Sequence, residues 1–170
     1  ASDVYKRQGK EYTVKGILMD RATGEPFLQN GEQITSEVTF VPKAPSGSVE
    51  VLFTFDAKLI KTDTNIVVFE SLYSDSKELT VHADIEDEDQ TVTVYVPKIK
   101  TTASIDGKRE ITTAGKVTIE DVVSYTNLIP GTEYTIRGTL MNKVTGEVFT
   151  VNGETITAEV KFTPENRNGE

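Results

Sequence analysis

Hydrophobic and polar residues alternate along most of this 170-residue chain. A period of two is typical of β-strands with one buried and one exposed face, and no segment keeps the 3.6-residue spacing of an amphipathic helix. The alternating segments are rich in Thr, Val, Ile, Phe and Tyr, which strands favour. We predict strands at residues 11–19, 34–41, 49–60, 65–73, 78–85, 90–96, 98–105, 116–125, 133–141 and 155–163.

Turn signals separate these segments. The pairs Asn30-Gly31 and Asn152-Gly153 each lie between alternating runs. Such pairs favour hairpins, because both residues tolerate a positive φ. Many short strands with turns at this spacing indicate an all-β sandwich.

The chain also repeats itself. Residues 9–42 align without a gap on residues 131–164 at an offset of 122, and 20 of the 34 positions are identical. A long fixed period indicates similar domains in tandem rather than one continuous fold. We therefore expect one unit and part of a second.

The boundary between the units is predicted at Val96-Pro97-Lys98, where a proline separates two strands. This gives a unit at 9–96 that lacks its first strands, followed by 97–170 as the N-terminal half of the next repeat. Residues 1–8 match 123–130 only at Ser2, so we interpret them as a non-native or disordered leader. We expect residues 165–170 to be loose, because they lack an apolar anchor.

Composition narrows the possible functions. A net charge of −9 disfavours a nucleic-acid partner, because phosphates would be repelled. No segment approaches the roughly 18 apolar residues of a membrane span, so no membrane insertion is expected. With one His, no Cys, no metal-ligand cluster and no glycine-rich phosphate loop, a turnover enzyme is disfavoured, and we expect no cofactor and no metal.

Two polar residues fall at positions where a strand would point them inward. Gln90 shares its parity with Val92, Val94 and Val96. Thr101 shares its parity with three apolar residues, at positions 99, 103 and 105. Because side chains alternate between faces, an amide and a hydroxyl are predicted on core faces.

Two carboxylates have the same property. Glu70 alternates with Ile66, Val68 and Leu72, and Asp121 alternates with Val117, Ile119 and Val123. A carboxyl group buried on an apolar face would tend to keep its proton. A protonated acid beside an amide can polarise the carbonyl and donate a proton to the leaving nitrogen.

Four segments together resemble a known family. They are the run Val67-Val68-Phe69-Glu70, the stretch from His82 to Gln90-Thr91-Val92, the strand Ile99-Lys100-Thr101-Thr102-Ala103, and residues 12–19 with the Thr23-Gly24 turn. From residue 9 onward, the chain resembles the intramolecular ester-bond domains (T-Q ester bond domains or VaFE repeats) of Gram-positive surface proteins.

The resemblance implies an Ig-like (CnaB-like) β-sandwich closed by an autocatalytic cross-link. A Thr hydroxyl on the first strand attacks a Gln side chain on the last strand, and ammonia leaves. Carried over to this sequence, Thr101 is the nucleophile of the second unit, Gln90 the acceptor of the first, and His82 the proton-transfer residue. Glu70 and Asp121 are the acidic helpers. The implied protein is an extracellular, cell-wall-anchored adhesin or pilus-like stalk on a Gram-positive bacterium, whose partners include neighbouring repeats.

The repeat offset places the reacting residues in different units. The Thr partner of Gln90 would precede residue 1, and the Gln partner of Thr101 would fall near position 212. The resemblance implies that the linked first and last strands lie side by side and parallel. Parallel neighbours need a connection of about a dozen residues or more, and only a few residues near Pro97 separate the strands of Gln90 and Thr101. A link between these two residues of one molecule is therefore disfavoured. We therefore expect strand complementation between molecules, which would give head-to-tail oligomers.

Other interpretations stay open. His82 can be an ordinary solvated or structural side chain, and Glu70 can be paired with a Lys. The acidic run 86–89 can bind calcium, although it lacks the spacing of a known loop and a solvated turn is favoured. The competing function is a host-ligand-binding β-sandwich module without a cross-link. We do not expect an enzyme, since the residues support at most one self-cross-linking reaction for each site.

Overall fold

The computed structural model describes residues 9–113 and 115–170, so the prediction for residues 1–8 lies outside the described residues. The fold is all-β, as predicted, with two short 3₁₀ helices at Ala57–Leu59 and Glu88–Gln90. No helix in the described part of the chain is long and apolar enough to cross a membrane. The chain divides into two compact units between Val96 and Pro97.

From residue 9 onward, the first unit contains eight strands. They are β1 (Tyr12–Asp20), β2 (Glu25–Pro26), β3 (Leu28–Gln29), β4 (Glu32–Gln33), β5 (Thr35–Phe40), β6 (Thr64–Ser74), β7 (Lys77–His82) and β8 (Thr91–Val94). Strands β1 and β6 form the centre of an antiparallel sheet. On its other side, β1 pairs with β5 along its first part and with β2 at its end. On its other side, β6 pairs with β8 along its first part and with β7 along its last part. Strands β3 and β4 form a separate hairpin.

The main hydrophobic cluster of the first unit, here called the core, lies on one face of this sheet, while Met19 and Val67 are buried on the other face. Its buried residues are Leu18, Phe27, Ile60 and Ile66, and the side chains packed against them are Ile34, Phe53, Phe55, Val68, Val94 and Val96. The sheet supplies one layer of this core. The other layer comes from the region of the β3–β4 hairpin and from the segment between β5 and β6.

The strand predicted at residues 49–60 is not formed. The segment has no ladder of backbone hydrogen bonds and ends in the Ala57–Leu59 turn. Its apolar alternation is still used, because Phe53 and Phe55 pack on the core. The backbone of Asp56 is bonded instead by the side chain of Gln29, whose amide group contacts both its N–H and its carbonyl, at 2.9 and 2.8 Å.

The second unit contains three two-stranded antiparallel sheets. Their strands are β9 (Lys98–Ser104), β10 (Glu120–Thr126), β11 (Tyr134–Thr139), β12 (Thr150–Val151), β13 (Glu154–Thr155) and β14 (Thr157–Phe162). Strand β9 pairs with β10, β11 with β14, and β12 with β13. The register of Tyr134 opposite Phe162 is that of Tyr12 opposite Phe40 at the offset of 122.

The expectation that residues 165–170 are loose is wrong. The carbonyl of Arg167 accepts a hydrogen bond from the N–H of Leu128 at 3.0 Å. Gly169 exchanges two backbone hydrogen bonds with Tyr125, at 2.7 and 3.1 Å. Backbone pairing, which the composition of the segment does not reveal, therefore holds the segment against β10.

Candidate functional site

Strands β7 and β8 pair with the same edge of β6 but are separated by eight residues. Opposite β6, His82 ends β7 beside Glu70, and Thr91 begins β8 beside Val67. Residues 83–90, here called the acidic loop, therefore leave the sheet edge opposite Glu70 and return to it opposite Val67, three positions away along β6. This interruption places Glu70, His82 and Gln90 along one short stretch of the β6 edge.

Gln90 is the last residue of the 3₁₀ helix Glu88–Gln90 and directly precedes β8. Its backbone N–H donates to the carbonyl of Asp87 at 3.2 Å. Its side-chain Oε1 atom is buried and has no hydrogen-bond partner within the described residues. A buried carbonyl without a donor is rare and costs free energy, so Gln90 stands out among the polar side chains of the first unit.

Glu70 and His82 lie on the face of the sheet that carries the core. Residues opposite each other in an antiparallel pair share a face. Glu70 is opposite both Gly16 and His82, while Val68, two residues before Glu70, packs on the core. The ring of Phe53 closes over Gly16, and Glu70 is half-buried. The interpretation that a Lys pairs with Glu70 finds no support among the described ion pairs.

Asp87 is a site residue that the sequence did not reveal. Its Oδ2 atom lies 2.7 Å from the Nε2 atom of His82, and its Oδ1 atom accepts from the N–H of Asp89 at 3.0 Å. The hydrogen bond with His82, followed by that from Asp89, holds the pKa of the Asp87 carboxyl below its usual value of 3.8. A carboxylate bonded to one ring nitrogen fixes the orientation and the tautomer of an imidazole.

The sequence does contain a signal for Asp87, which is its suitability as a helix cap rather than its charge. Aspartate is a preferred residue at the start of a helix, where its side chain accepts a backbone N–H. Asp87 caps the 3₁₀ helix in this way. Within the run of four acids, the sequence does not distinguish Asp87 from its neighbours, and a solvated turn is the interpretation that the sequence favours.

The other carboxylates of the run also have partners. Arg21 contacts Glu86 through Nη2 and Glu88 through Nη1, both at 2.8 Å. Hydrogen bonds from Glu86 and then Glu88 raise the pKa of the Arg21 guanidinium. Among the described residues, no group of three or more acidic or His side chains is arranged to hold a metal ion. The acidic loop is thus anchored by a cation of the chain itself.

Thr101 and Asp121 lie in the second unit, on one face of the β9–β10 sheet. Thr101 is opposite Val123, and Ala103 is opposite Asp121, so Asp121 is a diagonal neighbour of Thr101. Both side chains are exposed. The expected inward orientation of Thr101 is therefore wrong for this structure, because no second layer formed by the described residues covers that face, and Ile99 on it is 63% exposed.

The family described as "T-Q ester bond containing domain" matches residues 5–94 and, a second time, residues 97–170. The chain belongs to the T-Q ester bond domain family. No curated protein matches it.

Two solved structures resemble this T-Q ester bond domain chain. Both are of a bacterial adhesin from Mobiluncus mulieris that contains intramolecular disulfide, isopeptide and ester bond cross-links, in two crystal forms. They are 16% and 14% identical to the chain. The matches cover 91% and 90% of this chain and 80% and 79% of the adhesin chains, with a TM-score of 0.37 each.

The predicted residues of the T-Q ester bond domain thus form two groups. Glu70, His82 and Gln90 lie along one short stretch of the β6 edge in the first unit, where Asp87 contacts His82. Thr101 and Asp121 are neighbours in the second unit. The first group contains a carboxamide, two carboxyl groups and an imidazole, and the second contains a hydroxyl and a carboxyl group.

Proposed function

We propose that the chain is a structural stalk module of a bacterial cell-surface adhesin or pilus-like protein. In the intact repeat, an autocatalytic ester between Thr and Gln stiffens the module. Membership of the T-Q ester bond domain family supports the cross-link, and the resemblance to Gram-positive surface proteins supports an extracellular, cell-wall-anchored location. The single observation that carries the proposal is the buried, unpartnered Oε1 atom of Gln90 beside β6.

The reaction follows from the groups present. The Oγ1 atom of the Thr at the Thr101 position attacks the Cδ atom of Gln90, forming a C–O bond. The C–N bond breaks and ammonia leaves, so amide and alcohol become ester and ammonia. His82, oriented by Asp87, accepts the hydroxyl proton and delivers it to the leaving nitrogen, and Glu70, opposite His82, assists this transfer. Asp121 lies beside the Thr and assists the hydroxyl.

Proximity supplies most of the acceleration. An amide is a poor electrophile and a Thr hydroxyl is a weak nucleophile, so the two must be held in contact. The buried position of the Gln90 carbonyl also protects the ester from hydrolysis. Each site reacts once, so the module is a self-cross-linking protein and not a turnover enzyme.

The benefit is resistance to unfolding. An ester that joins the first and last strands closes a loop of about 100 residues, worth roughly 4–5 kcal/mol in a chain-entropy model. A load on the two ends of the module then passes through a covalent bond. The strands between the linked residues are not pulled apart.

The partners are neighbouring repeats and, for this chain, other copies of itself. The β9–β10 hairpin of one molecule would add to the β8 edge of another, bringing Thr101 to Gln90. Within the described residues, nothing pairs with the outer edge of β8, and Val92 there is 59% exposed. The assembly would be head-to-tail, since the hairpin and the edge are different surfaces.

The decisive test uses a variant built from the chain's own residues. A copy of residues 97–130 is placed directly before Gly9, replacing residues 1–8. Because the repeat offset is 122, this extended chain contains one whole repeat with both reacting residues. Intact mass spectrometry should show the loss of one ammonia, and fragmentation should locate the link between the copied Thr101 and Gln90.

Two controls make the result unambiguous. Substituting the copied Thr101→Ala should restore the full calculated mass. A succinimide at an Asn-Gly pair would also release ammonia, but it would persist in that variant. A full calculated mass for the folded extended chain would overturn the cross-link. For the unmodified chain, a purely monomeric band on a denaturing gel after long incubation would overturn coupling between molecules.

A further inference from the structure

Arg21 is the only cation in the described ion pairs that contacts two carboxylates, and both belong to the acidic loop. We propose that Arg21 is a positioning residue for ester formation, which fixes the acidic loop and thereby places Asp87, His82 and Gln90. This inference rests on the proposed function. Arg21 touches none of the reacting atoms in its described contacts, so its effect would be exerted through the loop.

The backbone of Arg21 is itself fixed. Its N–H donates to the carbonyl of Asn65 at 3.0 Å, which continues the register of β1 on β6 by one residue. Asn65 in turn lies opposite Thr93 of β8, whose hydroxyl donates to its side chain at 2.6 Å. The side chain of Arg21 thus starts from a rigid point in the sheet, and it is only 23% exposed.

The loop is held from both faces of the sheet. Continuing the register places Arg21 on the face of Met19 and Val67, opposite to the face of Glu70 and His82. His82 binds the loop through Asp87 from one face, and Arg21 binds it through Glu86 and Glu88 from the other. Two anchors on opposite faces restrict movement of the loop that either one alone would permit.

The two carboxylates that Arg21 binds belong to the residues on either side of Asp87. Glu86 and Glu88 are the neighbours of Asp87, whose carboxylate meets His82 and whose carbonyl accepts from the N–H of Gln90. Fixing both neighbours fixes the position of Asp87. A displacement of about 1 Å in a reacting group can cost as much as a hundredfold in rate, so small movements of the loop matter.

The two ion pairs of Arg21 with Glu86 and Glu88, here called the clamp, offset charge repulsion within the acidic loop. Residues 86–89 are four consecutive acids, which repel one another. A guanidinium between two of them offsets this repulsion, and its fork suits two carboxylates at once. Because Glu86 and Glu88 are largely exposed, added salt should weaken the clamp.

The first test needs no ester. Hydrogen exchange of the full chain is measured with and without Arg21→Gln. We expect faster exchange for the amides of residues 83–90, with unchanged protection in the centres of β1 and β6. The matched control is Arg137→Gln, which removes the same charge from an exposed ion pair with Glu159 in the second unit. It should leave the acidic loop unchanged.

The second test measures the rate of ammonia loss in the extended chain. Arg21→Gln should slow the reaction by about fivefold, in line with the modest strength of exposed ion pairs. The final yield and the midpoint of unfolding should be unchanged. Arg21→Lys should be intermediate, and Lys143 already occupies the equivalent repeat position. Added salt should bring the rate of the unmodified chain towards that of Arg21→Gln.

The outcomes separate this inference from the proposed function. If the extended chain forms its ester and Arg21→Gln leaves both rate and loop exchange unchanged, the role of Arg21 is overturned while the cross-link stands. If no ester forms without the substitution, the proposed function is overturned, and the reaction role of Arg21 with it. An equal loss of yield, stability and rate would mark Arg21 as a folding residue and overturn the positioning role.

Discussion

The Nε2 atom of His82 lies 2.7 Å from the Oδ2 atom of Asp87, across the base of the acidic loop. The only His of the chain is therefore tied to a carboxylate three residues before Gln90. The contact links the end of β7 with the turn that leads into β8. It makes the protonation of Asp87 relevant to both stability and chemistry.

Asp87→Asn should change how stability depends on pH. The His82 hydrogen bond keeps the folded-state pKa of Asp87 below the ordinary value of 3.8. A lowered pKa contributes stability above the unfolded-state value, and this contribution is lost as pH falls through the folded-state value. At neutral pH, the unfolding midpoint of the unmodified chain should therefore be higher than that of Asp87→Asn. In strong acid, the two midpoints should become equal.

The matched control for this pH dependence is Asp56→Asn. Asp56 caps the 3₁₀ helix Ala57–Leu59 in the way that Asp87 caps Glu88–Gln90, by accepting from the N–H two residues on. It has no His partner among its described contacts. A pH-dependent difference of the same size in both variants would show that the His82 contact contributes nothing.

Gly16→Ala should destabilise the first unit by about 1–3 kcal/mol, the usual cost of overfilling a packed core. A Cβ atom at this position would collide with the Cζ atom of Phe53. At the equivalent repeat position, a Cβ atom on Gly138 would meet nothing within 4 Å. Gly138→Ala should therefore be neutral or stabilise by up to about 1 kcal/mol. Urea unfolding of both variants checks the pair, and equal effects would contradict it.

His82→Ala should slow ester formation in the extended chain by about 10²–10⁴-fold, the usual contribution of general acid–base catalysis. The variant also loses the hydrogen bond to Asp87, so its unfolding midpoint at neutral pH should fall by about as much as that of Asp87→Asn, and the rates are compared well below both midpoints. The measurement is the time course of ammonia loss by intact mass spectrometry. An unchanged time course would remove His82 from the mechanism and leave proximity alone to account for the reaction.

Gln29→Ala should destabilise the first unit by about 1 kcal/mol. Its side chain makes two hydrogen bonds to the backbone of Asp56 and replaces the strand pairing that the segment lacks. The equivalent residue of the second unit is Val151, so Val151→Ala serves as the control. Faster hydrogen exchange near Asp56 in Gln29→Ala alone would support this role, and unchanged exchange there would contradict it.

Much of the fold was predictable because period-two alternation is a local property. It identified β1, β5 and β6 closely, and the repeat in the sequence corresponds to matching registers of β1 with β5 and β11 with β14. It misjudged residues 49–60, because alternation reports which side chains are buried but not whether the backbone has a neighbouring strand. There, the backbone partner is the side chain of Gln29.

The candidate site was predictable only in part, for a related reason. Residue type and parity indicated Gln90, Glu70 and Thr101, but the exposure of Thr101 depends on a covering layer that parity cannot detect. Asp87 and Arg21 acquire their roles from contacts across 5 and 65 residues of sequence, respectively. Such pairings arise from the register of β6, which alternation does not specify.

The interrupted edge of β6 also bears on aggregation. A long, flat edge strand invites any extended peptide to pair with it, and proteins avoid this with short strands and charges. Here the edge is divided into six-residue β7 and four-residue β8, with four consecutive acids projecting between them. The edge is thereby a poor template for fibril growth, even though one short part of it stays open to a hairpin of the right shape.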